Sequence, residues 1–146
     1  IKRHILIKAS SIRFLEAAEL NNLKKIHLIS DYIDSRTIEI NEYNSNNKID
    51  KSIPINGRNL TNLGIFRKYI TEYLYNYPGL NKDMMMLCRQ LQSTSHGVPL
   101  EVYAFSHDKR FENYEYIMSD IFDHIIASIP YFDLEVFEVV STSNAK

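Results

Sequence analysis

The chain has 146 residues, 45% hydrophobic and 24% charged, about the length and balance of one globular domain. A formal net charge of −1 and a pI near 6.6 leave no electrostatic footprint for nucleic acid or anionic lipid. The single cysteine, Cys88, excludes an internal disulfide and fits a reducing compartment. No apolar run approaches the roughly 20 residues that span a bilayer, and no signal peptide is visible.

Ile1 stands where a Met would, and the chain opens directly on a strand pattern, so a piece of a longer protein is expected. Residues 3–14 read as that strand: Ile5, Ile7 and Ala9 alternate, then Ile12 and Phe14 continue on even positions. The slip predicts a β-bulge near Ser10-Ser11. Residues 16–46 are helical in composition, a short piece with Leu20 and Leu23 and then a loosely patterned, exposed helix with Ser30 or Asp31 as N-cap. Residues 44–58, "NSNNKIDKSIPINGR", form a surface loop or mobile insertion, with Asn56-Gly57 marking a tight turn.

Residues 61–77 carry a clear helical stripe, Leu63, Phe66, Ile70, Tyr73, Leu74 and Tyr77, capped by Thr61 and ended by Pro78-Gly79. Strands follow at 84–92 and 99–106, joined at His96-Gly97. A second strong helix spans 109–129, with Tyr114, Met118, Ile121, Ile125 and Ile129 on one face, and 134–140 is the last strand. The order is β-α-β-β-α-β with a helical insertion of about 16–46 after the first strand. That is a single α+β domain of the ferredoxin-like sandwich class, two helices covering a four-stranded sheet. Ile5, Ile7, Leu63, Phe66, Ile70, Leu87, Val102, Ile121, Ile125 and Val136 are expected to form the core.

Asp120, Asp123 and His124 crowd one short stretch and have the residue types of a metal or acid–base site. On a helical wheel they fall opposite the apolar stripe. No other His has ligand spacing around them, so they read as a solvated face. Cys88 reads as a small hydrophobe within a strand. Met84, Met85 and Met86 cannot converge on a soft metal if they alternate along a strand. Phosphate loops, nucleophile elbows and dinucleotide fingerprints are missing from the sequence. Tyr103 and Phe105 alternate as RNA-stacking aromatics would, but the accompanying basic residue and glycine are missing and Glu101 adjoins them. The ten tyrosines, with Tyr69, Tyr73, Tyr75 and Tyr77 on one helix and Tyr114 and Tyr116 on another, suit either a protein–protein contact or the rim of the core. No catalytic, cofactor-binding or metal residue is assigned, and neither an enzyme nor a cofactor is expected.

Three stretches together carry a family resemblance: "NGRNLTNLGIFRKYITEYLYNYPGLNKDM" (56–84), "RQLQSTSHGVPLEVYAFS" (89–106) and "DIFDHIIASIPYFDLEVF" (120–137). They resemble the carboxy-terminal cytoplasmic part of the mechanosensitive channels of small conductance, in the miniconductance branch, whose helical insertion is similar to residues 11–44. The resemblance implies a cytoplasmic vestibule domain of a bacterial inner-membrane channel that releases solutes on hypo-osmotic shock. It implies a homoheptameric cage, membrane attachment only through amino-terminal helices outside this chain, no nucleic acid and no catalytic residues. The alternative is a ferredoxin-like regulatory domain that binds a small ligand or a partner protein.

Overall fold

The computed structural model describes residues 2–108 and 110–139. The chain is α+β. Strand β1 (Lys2–Ile7) is followed by helices α1 (Ala17–Leu23), α2 (Ser30–Asn46) and α3 (Asn62–Asn76). Strands β2 (Leu87–Gln90) and β3 (Val98–Tyr103) come next, then helix α4 (Phe111–Ser128). The strands form one antiparallel sheet in the order β1-β3-β2, with Ile5 opposite Leu100 and Cys88 opposite Val102.

Because partners in an antiparallel ladder share a face, Ile5, Ile7, Val98, Leu100 and Val102 line one side of the sheet together. All are buried, in one cluster with Leu63, Phe66, Ile70 and Leu74 of α3 and Tyr114, Met118, Ile121 and Ile125 of α4. The stripes expected on both helices thus face the sheet, apart from Tyr73 and Tyr77, which are only partly buried. Of the expected core, Leu87 is the exception. It is half-buried, since it pairs with Tyr103 on the side away from that cluster, and Val136 packs partly buried at the core margin. On the opposite side His4, Glu101 and Arg89 make one row, in which Arg89 Nε donates to Glu101 Oε1 at 2.8 Å.

Several boundaries move. Strand β1 stops at Ile7, and the bulge expected near Ser10-Ser11 is replaced by a 3-10 turn over Ala9–Ser11. Ser11 closes that turn, its Oγ donating to the Lys8 carbonyl at 2.6 Å, a local bond that competes with the ladder. Phe14 then bridges Thr61. Neither Ser30 nor Asp31 caps α2, because the helix runs straight out of a 3-10 turn at His27–Ile29. Ser30 is already helical, and Ile29 holds the cap position with no side-chain bond. Helix α1 instead carries a reciprocal capping box between Glu16 and Glu19. At α3 the expected cap holds: Thr61 Oγ1 accepts from Gly64 N at 3.0 Å.

Strand β2 begins only at Leu87. Met84 and Met85 are exposed in the preceding turns, and Met86 is buried, so the three diverge without any strand alternation. The last strand shrinks to one bridge, Ile7–Val136, flanked by Lys8 N to Glu135 O at 2.8 Å and Phe137 N to Leu6 O at 2.9 Å. Asp133, in the left-handed region at φ 54°, turns the chain out of the 3-10 turn Ile129–Phe132 into this bridge. Residue 140 of that expected strand lies outside the described residues.

Asn62 ties the architecture together. Its side chain is fully buried. Oδ1 accepts from Arg13 N at 3.0 Å and Leu63 N at 2.9 Å. Nδ2 donates to Ser11 O at 2.9 Å, Phe132 O at 3.1 Å and Asp133 O at 3.3 Å. One amide therefore joins the exit of β1, the start of α3 and the end of the turn after α4.

Candidate functional sites

The three residues singled out on α4, Asp120, Asp123 and His124, are all exposed, as a solvated face requires. They differ in their partners: Asp123 makes no hydrogen bond or ion pair among the described residues. Asp120 and His124 reach across to α3. Tyr77 Oη donates to Asp120 Oδ2 at 2.8 Å, and Tyr69 Oη shares a 2.6 Å hydrogen bond with His124 Nε2. The His124 ring also stacks on Tyr73, centroids 4.0 Å apart and planes 4° from parallel. Residues 69 and 73 lie four apart on α3, with 77 four further on at its C-terminal cap, and 120 and 124 lie four apart on α4. Side chains at i and i+4 lie above one another, so the two helices meet along a ladder of rings and polar tips.

This ladder perturbs its hydroxyls. Burial, reinforced by the bond to Asp120 and its charge, pushes Tyr77 up to about 12. Burial and the same carboxylate raise Tyr73. Both phenols are therefore held neutral, the reverse of what a tyrosine base or nucleophile needs. The Tyr69–His124 pair sits at a helix seam, with Tyr69 buried and His124 exposed. Among the described residues no group of three or more His, Cys, Asp and Glu is placed to hold a metal ion.

The remaining candidates resolve in the same physical terms. Cys88 is half-buried on β2, and burial pushes its thiol up to about 12, so it carries almost no thiolate at neutral pH. Tyr103 and Phe105 meet edge to face, centroids 5.2 Å apart, each half-buried against the other. The tyrosines divide by exposure. Tyr69 and Tyr114 are buried, whereas Tyr75, Tyr116 and Tyr131 stand on the surface.

A concavity lies elsewhere, between α1, α2 and the 47–60 loop, with a volume of about 1150 Å³. Two devices shape it. Asn44 grips the backbone of Arg58 in both directions: Oδ1 accepts from Arg58 N at 2.9 Å and Nδ2 donates to Arg58 O at 3.1 Å. Lys51 then draws the loop together, its ammonium donating to Pro54 O at 2.8 Å, Asn59 Oδ1 at 2.5 Å and Asn56 O. Gly57, at φ 73°, passes so close to the Asn44 amide and to Ile49 that a Cβ would overlap them. Residue-level patterns do not outline this cleft, because it is formed by three segments whose approach is a tertiary fact. Asn44 and Gly57, both inside the Asn-rich stretch, were its only traces.

No helix among the described residues is long and apolar enough to cross a membrane. A search of protein-family models finds none that matches the chain.

Proposed function

We propose that this chain is the cytoplasmic vestibule domain of a bacterial mechanosensitive channel of the small-conductance class, and that its α+β arrangement is the ferredoxin-like sandwich. The topological part draws support from the bridge at Val136, which sets the 134–138 segment beside β1 on the edge opposite β2. Helices α3 and α4 lie on one face of that array. The functional part draws support from one observation above all. The chain's excess aromatic surface, Tyr75, Tyr116 and Tyr131, is presented outward rather than gathered around a reaction centre. Amphipathic rings on a surface suit contact between protein chains. In this reading the domain contributes walls and contacts to a homoheptameric cage, and pore and tension sensor belong to membrane helices in the same polypeptide.

The gene sequence upstream of Ile1 tests this first, since several apolar spans of roughly 20 residues are required there. The full-length protein, expressed in cells lacking their own tension-gated channels, should then restore survival after sudden dilution of the medium. Failure of either requirement sinks the channel reading. The isolated domain should sediment as a monomer or weak oligomer at micromolar concentration. Association costs on the order of 4–15 kcal/mol in lost rigid-body freedom, and the membrane helices are not there to share it.

A second reading, a ferredoxin-like regulatory domain, draws on the cleft beside α2, which is large enough for a small ligand.

A further inference from the structure

We infer that the cleft between α1, α2 and the 47–60 loop is a binding site for a small amphiphilic anion, a carboxylate, sulfonate or phosphate head on an apolar body. Four cationic side chains line the cleft, Lys24, Lys48, Lys51 and Arg58, against one carboxylate, Asp34. Asp34 is already engaged by Lys24 at 2.6 Å, and Arg58 is held by Glu39 at 3.0 Å. Two charges are left uncompensated, and they differ in kind.

Lys51 has all three of its N–H donors occupied by neutral oxygens. It offers an approaching anion a positive field but no hydrogen bond. Lys48 makes no side-chain hydrogen bond or ion pair among the described residues, and it supplies the donors. Its backbone is fixed in the left-handed region, φ 53°, directly after α2, a place where Gly or Asn is usual. A lysine there accepts some backbone strain and keeps a cation at the mouth of the cleft. Asn21 and Asn41, also in the lining, likewise have side-chain amides with no bond among the described residues and can add neutral donors.

The floor is of the opposite character. Leu15, Leu20, Ile33, Ile40 and Leu60 line it, and Ile33 and Ile40 are buried. Ile38, at the lip, is 61% exposed. An apolar floor under an uncompensated cationic mouth matches a ligand with an apolar body and an anionic head: the body removes hydrocarbon from water and the head meets Lys48. A purely polar phosphate would leave the floor unused. A neutral hydrophobe would leave both lysines unmatched. The cleft is lined by residues between Leu15 and Leu60 alone and its test reads ligand binding by the chain, so its failure and the failure of the channel assay are separate results.

The test uses 8-anilinonaphthalene-1-sulfonate and its uncharged parent N-phenyl-1-naphthylamine, which share one ring body and differ by the sulfonate. Fluorescence titration of the whole chain should show one saturable sulfonate site, displaced by decanoate. Lys48→Gln should weaken the sulfonate about fivefold, the scale of one exposed charge pair, and leave the parent amine within about twofold. Asn41→Trp, which fills the cleft from an exposed turn of α2, should weaken both. Lys25→Gln, an exposed cation outside the lining, should change neither. Circular dichroism of each variant confirms that the fold is kept. The inference is overturned if Lys48→Gln leaves sulfonate binding unchanged, or if Asn41→Trp does. It is equally overturned if phosphatidylglycerol vesicles bind the chain while decanoate displaces nothing, since a membrane surface would then be the ligand.

Discussion

Replacing Asn62 should do more damage than replacing any other single polar residue in this chain. The amide fills both lone pairs of Oδ1 with Arg13 N and Leu63 N and shares its two N–H groups among three carbonyls. It does so with no exposure to solvent. Asn62→Ala removes every one of these partners at once and leaves room for about one water, which could re-satisfy some of them. Each buried group left unpaired costs roughly 1–3 kcal/mol. With partial rescue by that water, the expected loss is about 3–5 kcal/mol. Asn62→Asp keeps the shape but turns a donor into an acceptor facing the Ser11, Phe132 and Asp133 carbonyls. Its carboxyl would be pushed up by those carbonyls and by burial. The folded state would then hold its proton more tightly than the unfolded state. The penalty should therefore be small in acid, where the carboxyl can donate, and grow as pH rises above about 4. Urea unfolding followed by circular dichroism at pH 4.5 and 7, both approximate settings within that window, measures both variants. A loss under about 1 kcal/mol for Asn62→Ala, or an Asn62→Asp penalty that does not change with pH, would refute the idea that this amide joins three segments.

Other consequences are open to the same assays. Ile121→Ala and Phe66→Ala, both at fully buried positions, should each cost about 2–5 kcal/mol, whereas Leu87→Ala should cost nearer 1 kcal/mol; equal losses would mean that the sheet buries both faces alike. His124→Ala loses the Tyr69 bond and the Tyr73 stack and should cost about 1–2 kcal/mol, while Asp123→Ala should stay within about 0.5 kcal/mol, and the reverse order would contradict the seam. In acid, three carboxyls matter. Arg13 hydrogen-bonds Glu19, Ser52 hydrogen-bonds Asp50 and Arg110 hydrogen-bonds Asp108, and each is held below its ordinary value. The stability they add is present above the ordinary carboxylate range and lost as pH falls through their folded values, so the unfolding midpoint should be level from about pH 7 to 5 and drop below about pH 4. Gly97→Ala would force a Cβ to 2.7 Å from the Ile7 carbonyl at φ 113°, and thermal unfolding should shift down by several degrees, roughly the effect of 1–3 kcal/mol in a domain this size.

Much of the fold was legible because helices write their buried faces at a fixed period. Leu63, Phe66 and Ile70, and Met118, Ile121 and Ile125, could face only one way and still be buried. Strand ends were less legible. Ile12 and Phe14 alternate like strand residues, yet a serine turn between them and Ile7 outcompetes the ladder, and sequence alternation does not reveal that competition. The α3–α4 seam was half legible. The wheel gave the direction of Asp120 and His124 relative to their own stripe, but said nothing of which helix would stand beside them. The signal that was available, residues 69, 73 and 77 spaced to match 120 and 124, becomes informative only once the two helices are known to be neighbours. Asn62 left no trace at all, since an amide in the first turn of a helix usually faces water.

The sheet order also sets when this chain can fold as it leaves the ribosome. Strand β1 is made first, yet its hydrogen-bonded partner is β3, so Ile5 must wait for Leu100. Everything synthesised in between is helix, loop and the short strand β2, none of which can close the ladder on β1. During that interval Ile5 and Ile7 have no mate, and their strand offers unpaired backbone to any neighbour. The intervening helices can form early from local contacts, while the central pairing must close a long loop and comes late. Slow translation before residue 98 would lengthen that exposure, and the nascent chain would have to be shielded until β3 emerges.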